Sequence, residues 1–398
     1  MIGRDEISRF EFATAARIVF GGGTVGEAGG AATALGRRAL VVTGRNADRP
    51  ALLFRSLAAS GVATVTFVTS GEPTIAHIQE GILTAVEEGC DLVIGFGGGS
   101  ALDTAKAIAA AAMDPGDIFD HLEVVGRGEP LHHPALPCIA IPTTAGTGAE
   151  VTRNSVLASP AHKVKVSLRG TLLLPRLAIV DPELTLSLPP DLTAATGLDA
   201  LTQLVEPFVS LRANPVADAF CREGLRRSAR SLRRACQDGT NLAARTDLAL
   251  ASLCGGLALT NAGLGAVHGL AAPLGGATAT PHGAACARLL APVMEANVRA
   301  LRERAPGSPA LRRYQELAVL FTGDPVALIE DGIAWVEALV RDTGLLSLAA
   351  LELTASEIPA IAEKAAATNS LKANPVALTT EELWDILRKA LQQNPRRP

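Results

Sequence analysis

The chain has 398 residues, 48% of them hydrophobic and only 19% charged, which excludes a disordered chain and provides ample material for a packed core. Aromatic residues make up 3%, so that core has to be built from Ala, Leu, Val and Ile. A formal net charge of −4 argues against nucleic acid or an anionic membrane as the main partner, and the length suggests two domains.

The N-terminal half alternates between strand and helix patterns. It begins with charged residues at 4–6 and not with an apolar run, so no secretory signal is expected. Runs rich in β-forming residues follow at 39–43, 63–69, 91–96, 138–142 and 177–180, with helical patterns at 51–59 and 74–88 between the first three. Apolar strands separated by helices are typical of a parallel sheet covered on both faces. The predicted fold class of this half is therefore doubly wound α/β.

A first glycine-rich loop, at 21–26, matches the pattern G-x-G-x-x-G. A dinucleotide fingerprint of this kind needs a carboxylate about 20 residues later, at the end of the next strand. Gly44 and Arg45 stand there instead. We therefore interpret the loop as a tight turn before a helix.

A second loop, Gly97-Gly98-Gly99-Ser100, follows an apolar strand and opens an Ala-rich helix. Glycines allow the backbone to come close to a pyrophosphate, and the helix N-terminus offers unpaired N–H groups and the positive end of its dipole. Ser100 and Asp103 also have the spacing of a capping box. Phosphate binding and helix capping can both hold at once.

A third loop, at 142–150, also follows a strand. Thr143, Thr144 and Thr147 lie within six residues that also contain two glycines. Such a set suits contact with a ribose or a nicotinamide edge, and it suits an elaborate helix cap equally well. The spacing alone leaves both interpretations open.

The pattern changes at Pro189 and Pro190, after which apolar residues recur at helical spacing. We predict an α/β domain at 1–190 and an all-helical domain at 191–398. An uncharged stretch at 248–287 is interrupted by glycines, prolines and polar residues, so we interpret it as buried helices and not as a membrane span. The six cysteines form no C-x-x-C pair and are expected to be reduced thiols, in keeping with a cytoplasmic location.

Candidate metal ligands lie in the helical half. Asp199 and Gln203 are four residues apart and so share one helix face. His268 and His282 both lie in the uncharged stretch. A carboxylate, an amide oxygen and two imidazoles can bind Zn²⁺ or Fe²⁺, although the amide is the poorest donor of the four. The residues alone leave open the alternative of core histidines beside a helix-capping Asp.

Taken together, these segments resemble the iron-containing (group III) alcohol dehydrogenase family. Five motifs in the family's order carry the resemblance over nearly the whole chain: GGGSALDTAK at 97–106, TTAGTGAE at 143–150, GLDALT at 197–202, VHGLA at 267–271 and PHG at 281–283. The resemblance implies a nucleotide-binding α/β domain followed by a helical domain, with cofactor and metal in the cleft between them. It also implies a homodimer.

By motif match, the resemblance assigns one set of residues to the dinucleotide. The glycine triplet and Ser100 would hold the pyrophosphate with Asp103 nearby, the three threonines would line the nicotinamide-ribose side, and Leu184 would line the adenine side. The set comprises Gly97, Gly98, Gly99, Ser100, Asp103, Thr143, Thr144, Thr147 and Leu184.

The resemblance also implies the chemistry of the site. Lys165 falls where the family has a lysine near the active site, and Asp199, His268 and His282 match three of its four metal ligands. The family's remaining histidine ligand corresponds to Gln203, which weakens the metal site without abolishing it. Ala272 replaces a further histidine that the family places close to the nicotinamide, so a proton relay there is lost. Relatives resembling maleylacetate reductase work without a metal, and a metal-free reaction stays open.

The residues after the second strand bear on cofactor choice. A carboxylate at this position commonly binds the ribose 2′-hydroxyl of NAD. Without it, the site should admit a 2′-phosphate, which Arg45 could pair with. NADP(H) is therefore favoured, with NAD(H) tolerated.

The predicted function is hydride transfer between NAD(P)(H) and the alcohol, aldehyde or ketone group of a small substrate. A divalent metal would act as Lewis acid, or Lys165 would take that electrostatic role in a metal-free enzyme. A dehydroquinate-synthase-like lyase would need several basic residues around His268 and His282, and the stretch that contains them is uncharged. A nucleotide-binding protein that has lost catalysis is the other alternative, motivated by Gln203 and Ala272.

Overall fold

The structure, a computed structural model, describes residues 9–162, 164–278, 280–345 and 353–393. The charged residues at 4–6 lie outside this part of the chain. Eight strands occur in the described residues: β1 Ile18–Phe20, β2 Arg38–Thr43, β3 Ala63–Val68, β4 Leu92–Gly97, β5 Cys138–Pro142, β6 Asn154–Ser159, β7 Val164–Arg169 and β8 Leu177–Val180.

Six of these strands form a parallel sheet in the order β1-β8-β5-β4-β2-β3. The remaining two, β6 and β7, pair antiparallel as a separate hairpin, which the sequence patterns did not predict. The helices that accompany the sheet are α1 Ala28–Thr33, α2 Ala51–Ala59, α3 Ile75–Glu87 and α4 Gly99–Ala111.

Alternate residues of each central strand enter different cores. Leu40 and Val42 of β2 pack with α3 and α4 on one face, whereas Val41 packs with Leu53 and Leu57 of α2 on the other. This alternation follows from the two-residue period of a strand. Because both faces are covered by helices, the predicted doubly wound α/β fold is confirmed.

The rest of the chain is helical, as predicted. Its described helices are α5 Pro190–Val209, α6 Pro215–Gln237, α7 Leu242–Ala262, α8 Ala266–Ala277, α9 His282–Arg304, α10 Pro309–Thr322, α11 Ile329–Asp342, α12 Ile358–Ala366 and α13 Thr380–Gln392. Leu, Ala and Val side chains of α5 to α9 dominate their shared core. We propose a domain boundary at residue 190, because α5 begins there.

Helix α7 is the one helix in the described part of the chain that is long and apolar enough to cross a membrane. However, 72% of its most apolar window is buried in the protein, where α7 packs against α5 and α6. The uncharged stretch thus forms interior helices, in line with its interpretation from the sequence.

The proposed capping box of Ser100 and Asp103 is wrong. Helix α4 begins at Gly99 with Gly98 as N-cap, so Ser100 is already inside the first turn and cannot cap it. Asp103 instead accepts a hydrogen bond from the Val156 N–H of β6 at 3.0 Å and pairs with Lys106 at 3.1 Å. Its carboxylate therefore fastens the hairpin to α4. The loop at 21–26 forms a turn and a 3-10 segment before α1, as predicted.

Asp247 of α7 joins α7 to α6. Its carboxylate accepts hydrogen bonds from Arg227 at 2.8 Å, from Arg230 at 2.6 and 2.7 Å and from Ser231 at 2.5 Å. Burial alone would raise the pKa of Asp247, but these hydrogen bonds and the positive charge of Arg230 outweigh it and hold the pKa below its usual value. Arg227 and Arg230 of α6 therefore pair with a carboxylate of the neighbouring helix α7.

We expect Asp247→Asn to lower the free energy of unfolding by about 2 kcal/mol at neutral pH, because several hydrogen bonds to a charged group are lost. Since the folded-state pKa is depressed, this contribution is present above the unfolded value of about 3.9 and disappears as the pH falls through the folded value. Urea unfolding followed by circular dichroism at neutral and acidic pH measures it. Asp385→Asn, at an exposed ion pair, is the control and should change little. A difference between Asp247→Asn and wild type that persists unchanged in acid would contradict this account.

Candidate active site

Helix α5 carries a row of polar residues along a buried face. Asp199, Gln203 and Glu206 are spaced four and three residues apart, so they lie above one another on the helix. All three are buried, with at most 4% exposure. Buried polar groups of this kind are retained only where they have partners. The partners are supplied by α8 and α9.

Three further side chains meet this face from the beginnings of α8 and α9. His268 lies in the first turn of α8, His282 is the first residue of α9, and Cys286 follows His282 by one helical turn. One potential ligand atom from each of Asp199, His268, His282 and Cys286 lies within 4.8 Å of all the others. The predicted ligands Asp199, His268 and His282 are thus brought together, and Cys286 joins them.

The nitrogen and oxygen atoms at the centre of this cluster lie beyond ordinary N–H···O hydrogen-bond distance of one another. Nε2 of His268 and Nε2 of His282 lie 3.4 and 3.6 Å from Oδ1 of Asp199. Within the described residues, Asp199 Oδ1 and His268 Nε2 are buried and have no hydrogen-bond partner. Leaving such atoms unsatisfied is costly. A divalent cation bound between them would satisfy both, so the residues fit a metal.

Glu206 contacts the ring nitrogen of His268 that faces away from Asp199. Nδ1 of His268 donates to Glu206 Oε2 at 2.6 Å, and the Val267 N–H donates to Oε1 at 2.6 Å. Such a carboxylate fixes the tautomer so that Nε2 presents its lone pair to a metal. Sequence reasoning missed Glu206, although an acidic residue in the apolar run 204–209 was a signal.

The charges of the cluster are strongly coupled. Desolvation lowers the pKa of His268, but the negative charges of Glu206 and Asp199, the hydrogen bond to Glu206 and the close contact with Asp199 raise it overall to about 10. Desolvation raises the pKa of Asp199, but the charge of His282, the charge and close contact of His268 and the close contact of the Cys286 thiol lower it overall. The two carboxylates therefore require positive charge beside them, which a protonated imidazole or a metal cation supplies.

Gln203 contacts Asp199. Its amide nitrogen donates to Asp199 Oδ2 at 3.0 Å. Its amide oxygen is buried without a hydrogen-bond partner in the described part of the chain and lies beside Gly255 of α7. Gln203 is therefore placed at the cluster, with its nitrogen turned toward the carboxylate.

The second and third glycine-containing loops lie side by side at the carboxyl ends of β4 and β5. The Thr143 N–H donates to the Gly97 carbonyl at 2.8 Å. A Cβ added at Gly98 would lie 3.3 Å from Thr144, and one at Gly99 would lie 2.8 Å from Thr147. Carboxyl ends of adjacent parallel strands are where such sheets bind ligands. The glycine triplet and the three predicted threonines therefore share one surface.

The remaining predicted residues lie around these loops. Lys165 of β7 forms an ion pair with Glu72, and its ammonium is 3.5 Å from the position of a Cβ on Gly275 of α8. Arg45 is exposed just after β2, and the space around Gly44 is open.

Arg49 is a residue that the sequence reasoning missed on this side of the molecule. Its guanidinium donates to the Leu184 carbonyl at 3.1 Å and to the Thr143 carbonyl at 3.4 Å. It therefore bridges the third loop and the segment after β8. No local pattern marks it, because both partners are distant in sequence.

The third loop connects the two regions. A Cβ at Gly146 would lie 2.7 Å from Thr196 Cβ on α5, and one at Gly148 would lie 2.5 Å from Gly256 Cα on α7. Thr196 is three residues before Asp199. The third loop, which lies beside the glycine triplet, therefore packs on α5 three residues before Asp199 of the donor cluster.

Comparisons with known proteins agree with this arrangement. The model of the family "Iron-containing alcohol dehydrogenase" matches residues 15–182, and that of "Fe-containing alcohol dehydrogenase family, C-terminal" matches residues 193–391. Alcohol dehydrogenase 4 of Saccharomyces cerevisiae is 37% identical over 328 residues, which are 81% of this chain and 82% of the yeast protein.

Solved structures give the same result. A crystal structure of 1,3-propanediol oxidoreductase has a TM-score of 0.90 and 34% identity, covering 96% of this chain and 100% of that one. Sulfoacetaldehyde reductase from Bifidobacterium kashiwanohense, solved in complex with NAD⁺, has a TM-score of 0.85 and 29% identity, covering 96% of this chain and 99% of that one.

We expect Glu206→Gln to weaken divalent-metal binding by about 10- to 100-fold, because the amide no longer fixes the tautomer of His268. Competition with a chromophoric chelator measures the affinity. Glu295→Gln, which removes an exposed carboxylate of α9 that pairs with Lys389, is the control. Unchanged affinity in the Glu206 variant would show that its carboxylate does not orient a ligand.

Proposed function

The chain belongs to the iron-containing alcohol dehydrogenase family, and from this premise we propose that it transfers a hydride between NAD(P)(H) and the alcohol, aldehyde or ketone group of a small substrate. One observation supports the proposal above all others. The loop after β5 touches the helix that carries Asp199 and lies beside the loop after β4, so a dinucleotide on the two loops would extend toward the buried donor cluster.

We propose that the glycine triplet Gly97 to Gly99 and Ser100 hold the pyrophosphate at the N-terminus of α4, where free N–H groups are available. Thr143, Thr144 and Thr147 line the nicotinamide-ribose side, and Leu184 lines the adenine side. Asp103 supports this surface indirectly, because its carboxylate is occupied by Val156 and Lys106. When bound, the dinucleotide supplies the hydride, and the protein orients it.

Asp199, His268 and His282 would hold a divalent ion, Fe²⁺ or Zn²⁺. When bound, the ion supplies a Lewis acid that stabilises negative charge developing on the substrate oxygen. Glu206 keeps Nε2 of His268 turned toward the centre, and Gln203 fixes Oδ2 of Asp199 so that Oδ1 faces the same point. These hydrogen bonds fix the orientation of His268 and Asp199 in the absence of a bound ion.

We further propose a small neutral or singly charged substrate, since the stretch at 248–287 that contains His268 and His282 is uncharged and rich in small apolar residues. The relatives named as acting on propanediol and sulfoacetaldehyde fit this class. We also propose that the protein acts in the cytoplasm as a homodimer.

We expect Asp199→Ala to abolish binding of the divalent ion and to reduce turnover by at least about 100-fold, since it removes the carboxylate that contacts both histidines. Elemental analysis of the purified protein and NADPH or NADH oxidation against an aldehyde panel measure the two effects. Asp191→Ala, an exposed position in the first turn of the same helix, is the control.

A variant that keeps both metal and turnover would refute this site. Chelation of the wild-type enzyme separates the metal-dependent proposal from its alternative. A metal-free reductase, with Lys165 supplying positive charge near the substrate, would keep its rate after complete removal of metal. Phosphate release without net oxidation of the cofactor would instead indicate a lyase.

Gly44→Asp tests the proposed preference for NADP(H). The new carboxylate would repel a 2′-phosphate and accept a hydrogen bond from a ribose 2′-hydroxyl, and the structure has open space for it. The ratio of kcat/KM for NADPH to that for NADH should fall by at least about tenfold, which is 1.4 kcal/mol. Gly44→Asn, which is neutral and of the same size, should change the ratio much less. Equal effects of the two substitutions would mean that charge at this position does not select the cofactor.

A further inference from the structure

Cys286 is a fourth donor that the motifs did not indicate. It follows His282 by four residues on α9 and therefore shares its helix face. Its Sγ lies 3.7 Å from Nε2 of His282, and it belongs to the set of ligand atoms within 4.8 Å of one another. The thiol is fully buried, at 0% exposure.

The spacings in this cluster are those of ligands around an ion. Bonds of about 2.0–2.3 Å in a tetrahedral arrangement put neighbouring donor atoms about 3.3–3.7 Å apart. Three of the separations are 3.4, 3.6 and 3.7 Å, and the others are at most 4.8 Å. Hydrogen bonds between N and O atoms are shorter, about 2.7–3.2 Å. The two N···O separations from Asp199 to the histidines are therefore wider than hydrogen bonds and close to the spacing of ligands around an ion.

Gln203 does not compete with Cys286 for the ion. Its amide nitrogen, which is a donor group, faces Asp199 Oδ2 at 3.0 Å. An amide nitrogen has no lone pair to offer a metal, and the amide oxygen lies beside Gly255. The residue at the position of the missing family histidine thus acts as a positioning residue for Asp199.

We propose that Cys286 is the fourth protein ligand of the ion, with Asp199, His268 and His282, and that this thiolate makes zinc the resident metal. Thiolate and imidazole ligands favour Zn²⁺, whereas Fe²⁺ in non-haem sites relies on imidazole and carboxylate. The Asp199 carboxylate and the Cys286 thiolate would together balance the double charge of the ion, and a substrate oxygen would have to join as a fifth ligand, an expansion that catalytic zinc sites allow. The inference rests on the metal-dependent form of the proposed function.

Cobalt substitution gives a direct test. A thiolate bound to Co²⁺ produces a charge-transfer absorption band in the near ultraviolet, which carboxylate, amide and imidazole ligands do not give. Protein freed of metal and reconstituted with Co²⁺ should show this band. Cys286→Ser should lose it and bind Zn²⁺ at least about tenfold more weakly. Cys221→Ser, at an equally buried thiol of α6, should keep both the band and the affinity.

Two further measurements make the result independent of how the serine variant folds. X-ray absorption at the zinc edge of the wild-type protein should show one sulfur at about 2.3 Å. Gln203→Ala should retain the cobalt band. A band that survives in Cys286→Ser, or a zinc shell without sulfur, would overturn the proposal.

These readouts are spectroscopic and need no turnover. A band that depends on Cys286 in a protein that reduces no aldehyde would sustain the inference and refute the proposed function. Turnover that continues without any bound metal would do the reverse.

Discussion

The close contact between the third loop and helices α5 and α7 is the constraint on which the site depends. A Cβ at Gly256 of α7 would lie 2.3 Å from the Gly148 carbonyl, a distance that no side chain tolerates. Gly148 also has a φ of 58°, in the left-handed region that favours glycine. Main chain therefore touches main chain where the sheet meets the helices. The position of the β5 loop relative to Asp199 is fixed by this contact.

The second requirement is electrostatic. Asp199 and Glu206 lie in a core that is otherwise built from Leu, Ala and Val, where an unpaired carboxylate is expensive. The first turns of α8 and α9 offset this cost, because they place His268, His282 and the Val267 N–H beside the two carboxylates. The same contacts that stabilise the carboxylates thus leave their inner atoms directed at a common centre. The contacts that stabilise the buried carboxylates are therefore the same contacts that arrange the donor atoms for a cation.

Much of the fold was predictable, because its signals are local. Continuous apolar runs of β-forming residues identified β5 and β8 with their bounds, and the helical pattern gave α2. Some of the sequence predictions and omissions need a different explanation. The capping box was wrong because α4 begins at Gly99, two residues earlier than a Ser100 cap would require. Cys286 stands in an alanine-rich helix and is indistinguishable from core packing until α5 is seen beside it. Arg49 likewise depends on distant partners. The β6–β7 hairpin was missed although its two strands are adjacent in sequence.

The four donors differ in their access to solvent. The side chains of Asp199 and His268 are only 4% and 8% exposed, whereas that of His282 is 37% exposed. Gly283, next to it, packs closely on α5, and a Cβ added there would lie 2.3 Å from the Ala195 carbonyl oxygen. His282 is therefore the most solvent-accessible member of this donor set. Because the other three donors are almost fully buried, an ion would enter or leave this donor set past the His282 imidazole.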